Sequence, residues 1–278
     1  MGLTRRMRLA VAVGLPSALV LSVSGAAAAG AFASTQPTRQ GSAIQRGQTK
    51  AGQTKHGQTK HGRAESRRAA SATSATSCTT VGHIGDSTSV GMVSSQYLPD
   101  PAQRLAAQYA DVGVRHLWVD ASGGRSIVET LPGQVNGDNV ARNWVAEGFR
   151  GCWVFALGTN DTANVAVGSN VSRMARIEEM MAVAHGEPVL WVNTHTLLSS
   201  GPWSESNMQA WNDDLLAACA RYPNMRIFNW AAMDEPAWHI SDGIHYTSAG
   251  YAIRAAAIAH ALTQAFPHGG HSDNCVVN

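Results

Sequence analysis

The chain has 278 residues, with 21 Lys and Arg against 19 Asp and Glu, a formal charge of +2. That balance hides a split: from residue 78 onward there are ten arginines, no lysine and 18 acidic residues, so this part stands near −8. An acidic body of this kind argues against nucleic-acid binding, which depends on neutralising phosphates.

The first 33 residues are predicted to be a secretory signal. Arg5, Arg6 and Arg8 form its basic start, Leu9 to Val23 is apolar but broken by Pro16, and Ala31-Phe32-Ala33 is a small-x-small cleavage site. The apolar run is shorter than the roughly 20 residues a spanning helix needs, and no cysteine near the cleavage site marks a lipoprotein. Residues 34–77 change character. Gln48-Thr49-Lys50-Ala51, Gln53-Thr54-Lys55-His56 and Gln58-Thr59-Lys60-His61 form a short repeat, with eight basic residues and only Glu65 acidic in the whole segment. It has almost nothing to bury and is predicted to be a disordered basic stalk. Its charge suits an anionic cell wall or membrane face; a plain solvated spacer is the alternative.

Residues 78–278 suit one domain. Strands are predicted at Val81–Ile84, Val114–Val119, Cys152–Leu157, Val189–Val192 and Arg226–Trp230. The third and fourth are unbroken apolar runs, the mark of strands covered on both faces. Helices are predicted at 88–98, 102–111 and 138–149. Three more follow from the spacings Met174/Ile177/Met181/Ala184, Met208/Trp211/Leu215/Ala218 and Tyr251/Ala255/Ile258/Leu262, the last with Thr247 as N-cap. Alternating strand and helix means a parallel sheet wrapped by helices: an α/β, flavodoxin-like three-layer α/β/α sandwich with a five-stranded parallel sheet. The strands at 114–119 and 226–230 carry charge and are predicted to be edges.

All four cysteines, Cys78, Cys152, Cys219 and Cys275, fall in this domain. An even count in an exported chain predicts two disulfides, and no pair has the spacing of a metal-binding CxxC. All four are expected at the amino-terminal rim of the sheet. Three pairings are open, with Cys78–Cys275 plus Cys152–Cys219 favoured.

Four blocks carry chemistry: Ile84-Gly85-Asp86-Ser87, Asp120-Ala121-Ser122-Gly123-Gly124-Arg125, Leu157-Gly158-Thr159-Asn160-Asp161, and Ser241-Asp242-Gly243-Ile244-His245. Ser87, Gly124 and Asn160 each lie just past a predicted strand, and Asp242 and His245 lie between the last strand and the last helix. Ligands bind at the carboxyl ends of such strands, so all five belong on one rim. A serine hydroxyl needs a base to become a nucleophile; His245 is placed to be that base and Asp242 to orient it. The N–H groups of Ser87 and Gly124 and the Asn160 side-chain amide are candidate donors to an oxyanion. Each block alone has a bland reading as a turn or cap. Arg125, His195, Trp203 and Trp238 are candidate substrate contacts, with an Arg125–Asp120 pair slightly favoured over a substrate role for Arg125.

These blocks resemble those of the SGNH (GDSL-type) hydrolases, with Ser87, Gly124, Asn160 and His245 at the four signature positions and Gly-Asp-Ser-Thr in place of Gly-Asp-Ser-Leu. The resemblance spans about 79–266 and implies a flavodoxin-like fold and no metal or organic cofactor. Asp120-Ala121-x-x-Gly124-Arg125 and Asp242-Gly243-Ile244-His245 are also similar to the extracytoplasmic domains of peptidoglycan O-acetyltransferases, which carry a multi-pass membrane domain that this sequence lacks. The expectation is therefore a secreted serine esterase acting on short acyl esters, O-acetyl foremost, of carbohydrate or the cell wall, extracellular and with the basic stalk as a candidate means of cell-wall association. Alternatives are an O-acyltransferase with the same triad, a lipase or lysophospholipase, and a non-catalytic wall-binding module.

Overall fold

The computed structural model describes residues 75–278. The predicted signal at 1–33 and nearly all of the stalk lie outside them. The folded body takes in the stalk's predicted end: Thr76 is buried, bridges Pro267, and gives its hydroxyl to the Phe266 carbonyl.

The strands are β1 (Thr80–Gly85), β2 (His116–Ala121), β3 (Cys152–Ala156), β4 (Val189–Val192), β5 (Met225–Phe228) and β6 (Val276–Val277). They form one parallel sheet in the order β2-β1-β3-β4-β5-β6. The helices are α1 (Ser87–Val93), α2 (Leu105–Asp111), α3 (Gly137–Ala146), α4 (Thr159–Ala166), α5 (Arg173–Ala184), α6 (Glu205–Cys219), the short α7 (Trp230–Met233) and α8 (Ser248–Ala265).

Strand alternation divides the core into two layers. Cys152, Val154 and Ala156 of β3 face a cluster with Met92 of α1, Tyr109 of α2 and Ile258 and Leu262 of α8. Trp153, Phe155 and the following Leu157 face the opposite cluster, with Val140 of α3, Ile177 and Met181 of α5 and Trp211 and Leu215 of α6. Both faces of β3 are therefore covered, which is why it reads as an unbroken apolar run. The Thr247 hydroxyl accepts the Gly250 N–H and caps α8.

Three expectations are corrected. The sheet has six strands rather than five, because Val276 and Val277 pair with Ile227 and Phe228; two residues are too short to leave a periodic signature. Consequently β5 is not an edge. Arg226, which suggested one, is buried and donates to the carbonyls of Ser272 in the carboxyl-terminal segment and of Pro223 just before β5, so backbone oxygens take the place of solvent. The disulfides are Cys78–Cys152 and Cys219–Cys275, not the favoured pairing. Strand order decides this: β1 and β3 are neighbours, so Cys78 and Cys152 meet at their shared start, whereas β6 brings Cys275 beside the end of α6, which feeds β5. A smaller difference is that the first helix stops at Val93, where Ser94 turns to extended backbone.

Candidate active site

The chain runs from β2 back across β1 to β3, so β1 and β3 lie side by side at the point where connections diverge. Their carboxyl ends open a crevice there. Ser87 follows β1 directly and Asn160 follows β3. Asp86 supplies the turn between β1 and α1: its buried carboxylate accepts the Thr88 N–H and the Thr88 hydroxyl, both at 2.8 Å. This caps α1 and leaves Ser87 at its first position.

His245 closes the crevice from the far end of the sequence. Its Nε2 lies 2.8 Å from Ser87 Oγ and its Nδ1 lies 2.7 Å from Asp242 Oδ2. An ionised carboxylate can only accept, so Nδ1 carries the ring hydrogen and the Nε2 lone pair faces the serine hydroxyl. Asp242 is set by its own turn, with Oδ1 accepting the Ile244 and His245 N–H groups at 2.9 Å each. Partial burial pushes its carboxyl up, but hydrogen bonds from the His245 ring and from both N–H groups outweigh that and hold it below the usual carboxylate range. It stays ionised.

Gly124 sits at the tip of the loop after β2 with φ of +70°, and a Cβ there would meet Leu131 at 2.6 Å. Only glycine fits this left-handed corner without strain. Within the described residues, neither the Ser87 nor the Gly124 N–H donates to another protein group. Asn160 gives its Nδ2 to the Arg125 carbonyl at 3.1 Å, and its Oδ1 accepts Trp203 Nε1 at 3.3 Å. These two contacts set the orientation of the amide. Gly158, with φ of +135°, allows the turn from β3 into α4, and a side chain there would strike the Trp211 ring.

The loop between β2 and α3 is held from below. Arg125 is buried and donates to the carboxylate and carbonyl of Asp120 and to the carbonyls of Gly85 and Val135. Arg176 of α5, fully buried, pairs with Glu129 of the loop and with Asp161 of α4, and Asp161 also accepts the Ile127 N–H. Burial raises the Glu129 carboxyl, but bonds from Arg176 and Ser169 outweigh it and bring it down to about 2.

The other sequence candidates divide. Trp203 reaches the site through Asn160 and is more than a third exposed. Arg125 is committed to the sheet edge rather than to a ligand, in line with its pairing to Asp120. His195 is bonded to Asp234. Trp238 packs against Trp230, with ring centroids 5.7 Å apart. None of the four lines the cavity at Ser87, which has a volume of about 250 Å³ and is walled by Val90, Tyr97, Ile240, Tyr246 and Tyr251. Sequence reasoning did not single out these walls; Tyr246 and Tyr251 flank the start of the last helix, and nothing in their spacing says that they face Ser87. A larger cavity of about 560 Å³ lies at the opposite end, between α3 and α5, and holds no candidate nucleophile. Among the described residues one trio, His195, Asp234 and His239, has metal-ligand chemistry with atoms within 4.8 Å of one another.

No protein-family model matches the chain, and no curated protein matches it either. Among solved structures it is similar to a carbohydrate acetylesterase family member from Sinorhizobium meliloti, with a TM-score of 0.52 and 12% identity over 66% of this chain and 97% of that one. The chain shares the flavodoxin-like α/β/α fold of that protein. It is also similar to the catalytic domain of peptidoglycan O-acetyltransferase A from Streptococcus pneumoniae (TM-score 0.49, 15% identity, 67% of this chain and 93% of that one). A member of the lipolytic G-D-S-L family from Veillonella parvula gives a TM-score of 0.48 at 14% identity, over 65% and 94% of the two chains. At these identities the likeness concerns the fold.

Proposed function

We propose that the domain is a secreted serine esterase that removes short acyl groups, acetyl foremost, from carbohydrate or cell-wall esters. The observation that carries this reading is the continuous contact Ser87 Oγ–His245 Nε2, His245 Nδ1–Asp242, at 2.8 and 2.7 Å. Ser87 and the Asp242–His245 pair, from parts of the chain about 158 residues apart, meet in the order that nucleophile, base and orienting carboxylate require.

In the proposed reaction His245 Nε2 takes the Ser87 proton as Oγ attacks the ester carbonyl. The resulting oxyanion is met by the Ser87 and Gly124 N–H groups and the Asn160 amide. His245 then protonates the leaving alcohol, and an acyl-serine forms. A water gives its proton to His245, attacks the acyl carbon, and the acid leaves as Ser87 is restored. Asp242 remains ionised and stabilises the imidazolium throughout.

The small cavity at Ser87, with aromatic and aliphatic walls, supports a short, neutral acyl group over a fatty chain. The two disulfides support an oxidising compartment, consistent with export. The carbohydrate side of the substrate rests on the exposed Trp203 indole beside Asn160, a flat face suited to a sugar ring.

The test is hydrolysis of p-nitrophenyl esters of increasing acyl length. Acetate should be preferred, and Ser87→Ala should abolish turnover. Wild-type turnover in that variant would overturn the assignment, and a preference for long-chain esters would overturn the acyl class. Supplying a glycan acceptor and finding acylated glycan in place of free acid would make the enzyme a transferase.

A further inference from the structure

The residues that present His245 form a narrow loop, 238–247, with an exposed tip at Ser241 and Asp242. Its two arms are joined by one antiparallel bridge at His239 and Tyr246, made by the Ile240 N–H on the His245 carbonyl at 2.9 Å and the Thr247 N–H on the Trp238 carbonyl at 2.8 Å. The tip is tied to the segment after β4 by the Leu197 N–H on the Gly243 carbonyl at 2.8 Å, and the two arms rest on what lies beneath.

Beneath lies Asp234, just after α7, with its side chain wholly buried. One oxygen, Oδ2, receives three donors: His239 Nε2 at 2.8 Å, His195 Nδ1 at 3.0 Å and the Tyr246 hydroxyl at 3.1 Å. His239 belongs to one arm of the loop. Tyr246 belongs to the other and is the immediate neighbour of His245. Trp230 Nε1 donates to the Tyr246 oxygen at 2.7 Å, which turns the phenol hydrogen toward Asp234. Burial pushes the Asp234 carboxyl up, but the bonds from His195 and His239 outweigh it and bring it down to about 2, so the group is an anion at neutral pH.

We infer that Asp234 is a positioning residue for His245: its buried carboxylate grips both arms of loop 238–247 and so sets where the imidazole stands above Ser87. The inference rests on the serine-esterase reading. Asp234 touches neither substrate nor the reacting atoms and acts only through the loop.

His195, Asp234 and His239 are also residue types that bind metal ions. Ligation and the present bonds exclude each other, since both imidazole hydrogens that point at the carboxylate would have to move to the other ring nitrogen. On His239 that nitrogen, Nδ1, is buried without a partner, so a hydrogen placed there would have nothing to accept it. The geometry therefore favours the hydrogen-bonded hub over a metal site.

The experiment compares the whole wild-type chain with Asp234→Asn on p-nitrophenyl acetate. Wild-type hydrolysis, and its loss in Ser87→Ala, come first; failure there is failure of the esterase reading and not of this one. With activity in hand, Asp234→Asn should lower kcat about 10–100-fold while KM moves less than about 3-fold, the pattern of a misplaced catalytic group. The low-field proton NMR line of His245 Nδ1–H on Asp242 should broaden or vanish while thermal unfolding stays cooperative. A lower melting temperature with wild-type kcat and an unchanged low-field line would reduce Asp234 to a stability role and overturn the inference. Should Asp234→Asn fail to fold, Tyr246→Phe, which removes one hydroxyl, decides: a fall in kcat at constant KM supports the inference, and wild-type kcat overturns it. One tightly bound Zn²⁺ per chain, lost in Asp234→Asn, would also overturn it.

Discussion

The two rims of the sheet are held by different means. At the amino-terminal rim both disulfides bind neighbouring segments covalently, Cys78 to Cys152 and Cys219 to Cys275. At the carboxyl-terminal rim, where Ser87, Gly124, Asn160 and His245 gather, the loops are held by buried polar groups: Arg125 on Asp120, Arg176 on Glu129 and Asp161, Asp234 on His239 and Tyr246. Covalent ties suit the end that only has to stay closed. The end proposed to do chemistry needs donors and acceptors at defined angles, and buried hydrogen bonds specify angle as well as distance. Damage to one rim should therefore remove activity and damage to the other should remove stability.

The largest effect is expected at the nucleophile. Ser87→Ala should lower kcat by about 10⁴-fold or more in ester hydrolysis without lowering the melting temperature. Asp242→Asn should follow, with a loss of about 10²–10⁴-fold, because the amide no longer favours the ring hydrogen on Nδ1. Asn160→Ala should cost about 10²–10³-fold, or roughly 3–4 kcal/mol of transition-state stabilisation, with KM nearly constant. At the opposite rim, the double change Cys78→Ser with Cys152→Ser should lower unfolding free energy by about 2–4 kcal/mol in urea titration and leave kcat at 25 °C unaltered. A comparable loss of kcat there would break the contrast between the rims.

The smallest effect concerns His83, buried in β1 with its ring between the Tyr109 and Ser89 hydroxyls. Burial first, and then the charge of Arg254, lower its pKa from 6.5 to about 3. Between those values an unfolded chain takes up a proton that the folded chain refuses, so stability falls as pH drops from 6.5 toward 3. The buried Asp161 carboxyl, pushed up to about 7 by burial, contributes a slope of opposite sign, so the reading is a difference: in urea titrations at pH 7, 5 and 4 the stability of wild type should fall relative to that of His83→Asn as pH drops.

Much of this was legible in order along the chain. Buried parallel strands leave continuous apolar runs, as at 152–157 and 189–192, and the serine, glycine, asparagine and histidine blocks follow strands because the turn out of a parallel strand is where such a fold places its ligands. Other features left no such trace. β6 is two residues long and has no period to detect. The disulfide partners depend on which strands are neighbours, and Arg226 looked like an edge residue because one of its carbonyl partners, Ser272, lies 46 residues later.

By itself the sequence determined the alternation of elements and the residue types at each strand end, since both follow from local patterning and from the chemistry of single side chains. Only the tertiary structure decided the sixth strand, disulfide pairing, the walls of the cavity at Ser87 and the hub at Asp234. Each of these is a meeting of residues far apart in the chain, and contacts of that kind are selected by how layers pack rather than by any local preference.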